Sequence, residues 1–266
     1  MITVTNHIPD KSLVGFVSLV SVYNVTGGAG TSVLPCFPDG FPGVIYQDAG
    51  SRMTLGEGGK KLSKLFVYGQ TVEPLELVVT GECRLIIFQL YPEIPNYLFD
   101  INARALNNDC ADLTGDPDVC NTGLLARLEG VPEDGQLRLM SRYIRQAMRR
   151  STRKESSRIG LAVRSIIDEK GLISISRLRE NLFMSERSFE RKFMQEIGIS
   201  PKLFARIIQF RFSMQQITLD AGRQLTDVGY ENGFADQSHF IRSFKQFSGK
   251  TPRVFRRSAR TCLNQF

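Results

Sequence analysis

The stretch SERSFERKFMQEIGISPKLF, residues 185–204, returns 51 positions later as DQSHFIRSFKQFSGKTPRVF, residues 236–255, with no gap between the two. Phe189, Arg191, Phe193, Gln195, Gly198, Pro201 and Phe204 recur as Phe240, Arg242, Phe244, Gln246, Gly249, Pro252 and Phe255. Phenylalanines four apart share one side of a helix. Glycine followed by proline three residues on stops one helix and starts another. A small helical unit is written twice.

Each copy has a short helix and a turn in front of it. In the first, Ser174 caps a helix that buries Ile175, Leu178 and Leu182. Met184 and Ser185 make the turn, and Ser185 caps a helix from Glu186 to about Ile197. Ser200-Pro201 then opens a longer helix to about Leu219, roughly 27 Å at 1.5 Å per residue. The second set runs from Thr226 to Asn232, through the turn GFA, to Asp236 as the cap of a helix ending near Phe247; PRVFRR is a last helix. Ahead of both, Ile159, Val163, Ile166 and Ile167 form a stripe closed by Gly171.

Two short helices joined by a tight turn describe a helix-turn-helix, whose second helix enters the DNA major groove. The faces divide accordingly. Phe240, Ile241, Phe244 and Phe247 fall on a packing side and Gln237, Ser238, Arg242 and Lys245 on another; in the first copy Phe189, Phe193, Met194 and Ile197 oppose Arg187, Glu190, Arg191 and Gln195. Arginine offers a bidentate fork to guanine, and glutamine both donates and accepts at adenine. Surface ion pairing of Arg191 and Arg242 with Glu190, Glu196 or Asp236 is the alternative use of the same charges. His239 lies between the two faces and suits packing.

Charge supports a division into halves. Residues 141–266 hold 25 Lys and Arg against 11 Asp and Glu, a net of +14, and residues 1–140 hold 9 against 16, a net of −7. A basic half beside an acidic one fits a nucleic-acid partner. The five cysteines are scattered without a CxxC pair, and only two histidines are present. A disulfide framework, a zinc site and a His-based triad therefore lack raw material, and no cofactor or metal is expected.

Residues 159–258 resemble the DNA-binding domain of the AraC/XylS family of bacterial transcription regulators. The resemblance rests on the doubled helix-turn-helix, the linking helix and above all GFADQSHFIRSFKQFSGKTPRVFR, residues 233–256. It implies two recognition helices, 186–197 and 236–247, in successive major-groove segments of double-stranded DNA. Carried over by position, the reading residues are Arg187, Glu190 and Arg191, then Gln237, Ser238 and Arg242, with Lys245 on the same face. Two positions depart from the pattern: Arg179 stands where a small residue is common, and Phe183 where glycine is common, just before the first turn.

Upstream, residues 13–91 read as short β-branched segments, among them LVGFVSLVSV, FPGVIYQ and CRLIIFQLY, separated by GGAG, PDGFPG and GEGGK. PNYLFDINARAL (95–106) reads as helical, and residues 107–123 as an acidic, turn-rich connection. Leu137, Met140, Ile144 and Met148 make GQLRLMSRYIRQAMRR an amphipathic helix with a basic outer face, and RRSTRKESSR (149–158) a boundary.

The expected fold class is α+β. A mostly β effector-sensing or dimerisation domain (1–123) is followed by a helical linker that could dimerise (124–158) and an all-α DNA-binding domain (159–266). The resemblance implies a non-enzymatic, cytoplasmic homodimer with RNA polymerase as a partner, under a small-molecule or protein effector, and with no membrane partner. Arg52, Lys60, Lys61 and Lys64 are cation candidates for an anionic effector. The alternative is a repair-type enzyme anchored on DNA with Cys36 of PCFP as a reactive thiol.

Overall fold

The computed structural model describes residues 1–26, 28, 30–48, 52–151, 158–220 and 222–261, with 52 and 259–261 by backbone alone. The boundary expected at 149–158 falls largely on residues 152–157, outside the described residues.

The N-terminal part is a two-sheet antiparallel sandwich. Its strands are β1 (Ile2–His7), β2 (Val17–Val25), β3 (Thr31–Cys36), β4 (Gly43–Gln47), β5 (Arg52–Leu55), β6 (Lys60–Lys61), β7 (Leu65–Tyr68), β8 (Leu75–Thr80), β9 (Cys83–Leu90) and β10 (Cys110–Asp112). The larger sheet runs β1-β2-β9-β4-β7-β10 and the smaller β3-β8-β5-β6. The glycines of 56–59 form the β5–β6 hairpin, the turn that their place between two strands predicts.

Every residue of β4 is buried because both faces of the larger sheet are covered. Ile45, Phe66 and Leu85 point between the sheets with Leu34, Met53 and Val79. Val44, Tyr46, Val67 and Phe88 point the other way, onto a helical layer. That layer is α2 (Pro117–Thr122), α3 (Leu124–Glu129) and α4 (Glu133–Arg150), and Met140, Tyr143, Ile144 and Ala147 of α4 share the core of the strands. The apolar stripe of α4 is thus spent on the sheet of its own chain.

Two local expectations change. The helix read over 95–106 is α1 (Ile94–Phe99), stopped by Asp100 at φ 51, followed by a 3-10 turn at Ala103–Leu106. The connection 107–123 carries β10 and α2, because Cys110 and Val119 are needed in the cores beneath them.

The C-terminal part is helical: α5 (Arg158–Asp168), α6 (Ile175–Asn181), α7 (Glu186–Ile197), α8 (Pro201–Leu219), α9 (Leu225–Glu231), α10 (Gln237–Ser248) and α11 (Pro252–Thr261). The helix read as Thr226–Asn232 lies one residue earlier. One apolar core serves all of them, and Phe41 of the N-terminal part lies inside it, 4 % exposed. The segment between β3 and β4 carries Phe41 across; the Arg211 guanidinium of α8 sits 4.2 Å over its ring, and Phe37 packs edge-on against Phe255 at 5.6 Å.

Candidate nucleic-acid interface

The two short helices end in the same way. The Leu182 amide donates to the Leu178 carbonyl, Phe183 to Glu180 and Met184 to Arg179; Asn232 donates to Val228, Gly233 to Tyr230 and Phe234 to Gly229. Leu182 therefore matches Asn232, 50 positions on, whereas Phe189 matches Phe240, 51 positions on. The second turn is longer by one residue.

The place of Gly233, at φ 74, is taken in the first unit by Phe183, at φ 53. A left-handed backbone under a bulky side chain costs roughly 1–3 kcal/mol. Phe183 is nonetheless 89 % exposed. The place of Gly229 is taken by Arg179. A Cβ on Gly229 would lie 3.3 Å from Phe240, whereas Arg179 turns to Ser176 Oγ at 3.3 Å and Glu180 at 3.4 Å.

Caps and stops then repeat. Ser185 Oγ accepts from the Ser188 amide at 3.3 Å, and Asp236 Oδ1 from the His239 amide at 2.7 Å. These bonds satisfy amides that a helix start leaves bare. Gly198 at φ 90 and Gly249 at φ 71 end α7 and α10 in the left-handed region. Ser200 caps α8 ahead of Pro201, and Thr251 stands before Pro252 of α11.

The buried side of α7 is Phe189, Phe193 and Ile197, with Met194 half-buried. On α10 it is Phe240, Ser243, Phe244 and Phe247, which is one correction to the sequence reading: Ile241 lies 37 % exposed, and Ser243 takes the packing face. Positions 240, 243, 244 and 247 form one helical stripe, and the Ser243 hydroxyl there accepts from Arg206 Nη2 at 3.3 Å. Arg206 also donates to Gln246 Oε1 at 2.7 Å, so Gln246 is a structural partner. His239 packs edge-on against Phe234 at 5.5 Å.

On the opposite sides, Arg187, Glu190 and Arg191 of α7 and Gln237, Ser238, Arg242 and Lys245 of α10 are all exposed. Among the described residues none of these side chains is engaged in a hydrogen bond or ion pair. Asp236, one acid available to Arg242, is occupied at the helix start.

The helix between the units acts as a splint. Phe204 near its start packs on Phe193 at 5.8 Å, and Phe210 packs on Phe244 at 5.0 Å and on Phe247 at 5.4 Å. Six residues at 100° each set these two rings on different sides of α8. The units are consequently fixed by one element.

The C-terminal end of α7 faces the sandwich. Asn107 Nδ2 donates to the Gly198 carbonyl at 2.8 Å and Asn96 Nδ2 to the Gln195 carbonyl at 3.1 Å, and a Cβ on Gly198 would come within 2.6 Å of the Ala103 carbonyl oxygen. Arg164 Nη2 donates to the Gly15 carbonyl at 2.9 Å. The end of α7 that carries Arg187 points away from these contacts along the helix.

Comparison with known proteins bears on each half. Residues 178–258 match the family described as Helix-turn-helix domain, and residues 5–112 match the family described as Domain of unknown function (DUF6597). An uncharacterized HTH-type transcriptional regulator of Staphylococcus aureus strain MSSA476 is 29 % identical over 84 residues, which are 32 % of this chain and 11 % of that protein; its counterpart in strain MRSA252 matches equally. The chain thus spans about a tenth of the length of these curated relatives. Among solved structures, ToxT from Vibrio cholerae O395 aligns at 10 % identity and TM-score 0.47, over 96 % of this chain and 97 % of that one. The AraC-like transcriptional activator CuxR aligns at 14 % and TM-score 0.29, over 77 % and 84 %. With the doubled unit, its shared linking helix and the family match in agreement, the C-terminal part of this chain is a helix-turn-helix domain, in the doubled arrangement that its resemblance to the AraC/XylS family implies.

Proposed function

We propose that the chain regulates transcription by binding double-stranded DNA, with α7 and α10 entering successive major-groove segments on one face of the duplex. The observation that carries this is the pair of capped helices, held by one splint, whose outer faces keep cationic and amide side chains without partners among the described residues. The splint is about 28 Å long at 1.5 Å per residue, near the ~34 Å turn of the duplex. Arg187, Arg191 and Arg242 supply guanine forks, Gln237 and Ser238 neutral base contacts, Glu190 an acceptor for cytosine, and Lys245 a phosphate contact.

Binding falls steeply with salt, because each phosphate contact releases counterions. Replacing Arg242 by Ala weakens the preferred site by about 1–3 kcal/mol and relaxes one base position. A gel-shift titration on preferred and random duplexes checks this; equal loss on both would make Arg242 a phosphate contact.

The sandwich is the effector-responsive half, and the chain works in the cytoplasm as a homodimer with RNA polymerase as a partner. Among the described residues no helix is long and apolar enough to cross a membrane. Since the apolar stripe of α4 is covered, a dimer uses another surface. Of the cation candidates in the sandwich, Lys60 is paired with Asp109 and Lys64 with Glu129; the side chain of Arg52 lies outside the described residues. Cations without an ion-pair partner among the described residues gather instead on α4, where Arg138, Arg142 and Arg149 line an open groove of about 710 Å³ floored by Val20 and Phe88. This favours a small organic anion as effector over a protein. Arg142→Ala is expected to abolish any thermal shift produced by such a compound.

The enzyme alternative finds no support at its proposed nucleophile. Desolvation, with Asp39 beside it, pushes the Cys36 thiol up to about 12, the opposite of what an attacking thiolate requires.

A further inference from the structure

Phe183 combines properties that packing does not account for. It holds a left-handed backbone, its ring is almost fully exposed, and its counterpart in the second unit, with the same hydrogen bonds through the turn, is Gly233. A glycine there would relieve the backbone and lose no core. Elsewhere in the unit each aromatic ring is buried: Phe189, Phe193 and Phe204 are all at most 1 % exposed. Its backbone carbonyl accepts from Arg158 Nη1 at 3.5 Å, which ties the turn to the start of α5 and leaves the ring out of that bond. Phe183 lies three residues ahead of the first residue of α7, at the end that carries Arg187.

We infer that Phe183 is a specificity-determining residue that sets its ring against a thymine methyl group in the segment read by α7. The major groove presents thymine as a methyl beside an acceptor, and an exposed apolar ring is complementary to that methyl. Residues at the N-terminal end of a recognition helix are those that reach base edges. The second unit has no such ring, since Phe234 is buried in its turn. The two segments therefore differ in composition: the first has a thymine preference that the second lacks. This inference rests on the DNA-binding reading above.

The test uses the whole chain. Duplexes enriched from a random pool by the wild-type chain define its preferred site, and Phe183→Ala, Phe183→Gly and Phe183→Tyr are then compared on that site, on random DNA and in thermal unfolding. Ala and Gly should each lose roughly five- to tenfold in affinity for the preferred site, with little change on random DNA, and should stop enriching one thymine. Tyr should retain both. Gly alone should raise Tm, by about 2–4 °C, which separates the backbone's effect from the ring's. Unchanged affinity and enrichment with Ala would overturn the assignment while leaving the DNA-binding reading intact, and equal loss on random DNA would overturn it as a sequence contact. A wild-type chain that enriches no sequence at all sinks the DNA-binding reading and this inference together.

Discussion

Asp39 stands at the junction of the two parts of the chain. Its Oδ1 accepts from the Phe41 amide at 2.8 Å and its Oδ2 from Gln89 Nε2 at 2.5 Å. Desolvation raises its carboxyl above the ordinary 3.8, and the Arg211 charge, the Phe41 amide and Gln89 offset part of that. A carboxyl raised in this way binds its proton more tightly in the folded chain than in the unfolded one. The stability it lends is complete below the ordinary carboxylate range and is lost as pH rises through the raised value. Asp39→Asn, which stays neutral, should therefore gain in Tm relative to the wild type as pH rises from about 4 to 7; a gap independent of pH would contradict the assignment. The outward set from Arg187 to Lys245 was legible in the sequence because amphipathic spacing separates it from the phenylalanines. The partner of Asp39 was not legible, since Arg211 lies 172 positions away and no local pattern joins them.

Helix ends are local events, and most of the helical half could be read for that reason. Ser174, Ser185, Ser200 and Asp236 all accept from the amide of the third residue of their helices, as their sequence positions predict. Replacing Ser185 or Asp236 by Ala should cost about 1 kcal/mol each, read by chemical denaturation. What failed at this scale depended on partners. Asp100 breaks the helix read over 95–106, and the 3-10 turn that follows meets α7 at Gly198. Ile241 lies about 100° around the helix from Phe240, off the stripe of 240, 243, 244 and 247, and Arg206 satisfies the Ser243 hydroxyl that takes the packing position. Gly198→Ala meets both a left-handed backbone and the Ala103 carbonyl, so it should destabilise the chain by more than the same change at Gly249, whose nearest neighbour is Pro74 at 3.7 Å.

For the whole molecule, the division into a β half and an α half was readable from period and charge, but their union was not. PDGFPG reads as turn material, yet its phenylalanine completes the core of the other half. Phe41→Ala removes a ring from that core, at a cost of about 3–5 kcal/mol. Calorimetry should show one transition in the wild type, and two in the variant as the halves lose their shared contact.

The doubled unit copies its inner faces and lets its outer faces diverge: Glu190 answers to Ile241, Arg187 to Ser238, and one turn is a residue longer. Both copies also follow one another head to tail along a single chain. The stretch of duplex read by one copy of such a chain has polarity, as an arrow does and a mirror image does not. A bound molecule would face upstream or downstream according to how its site is written, and inverting that site beside a promoter should change the output even at equal occupancy.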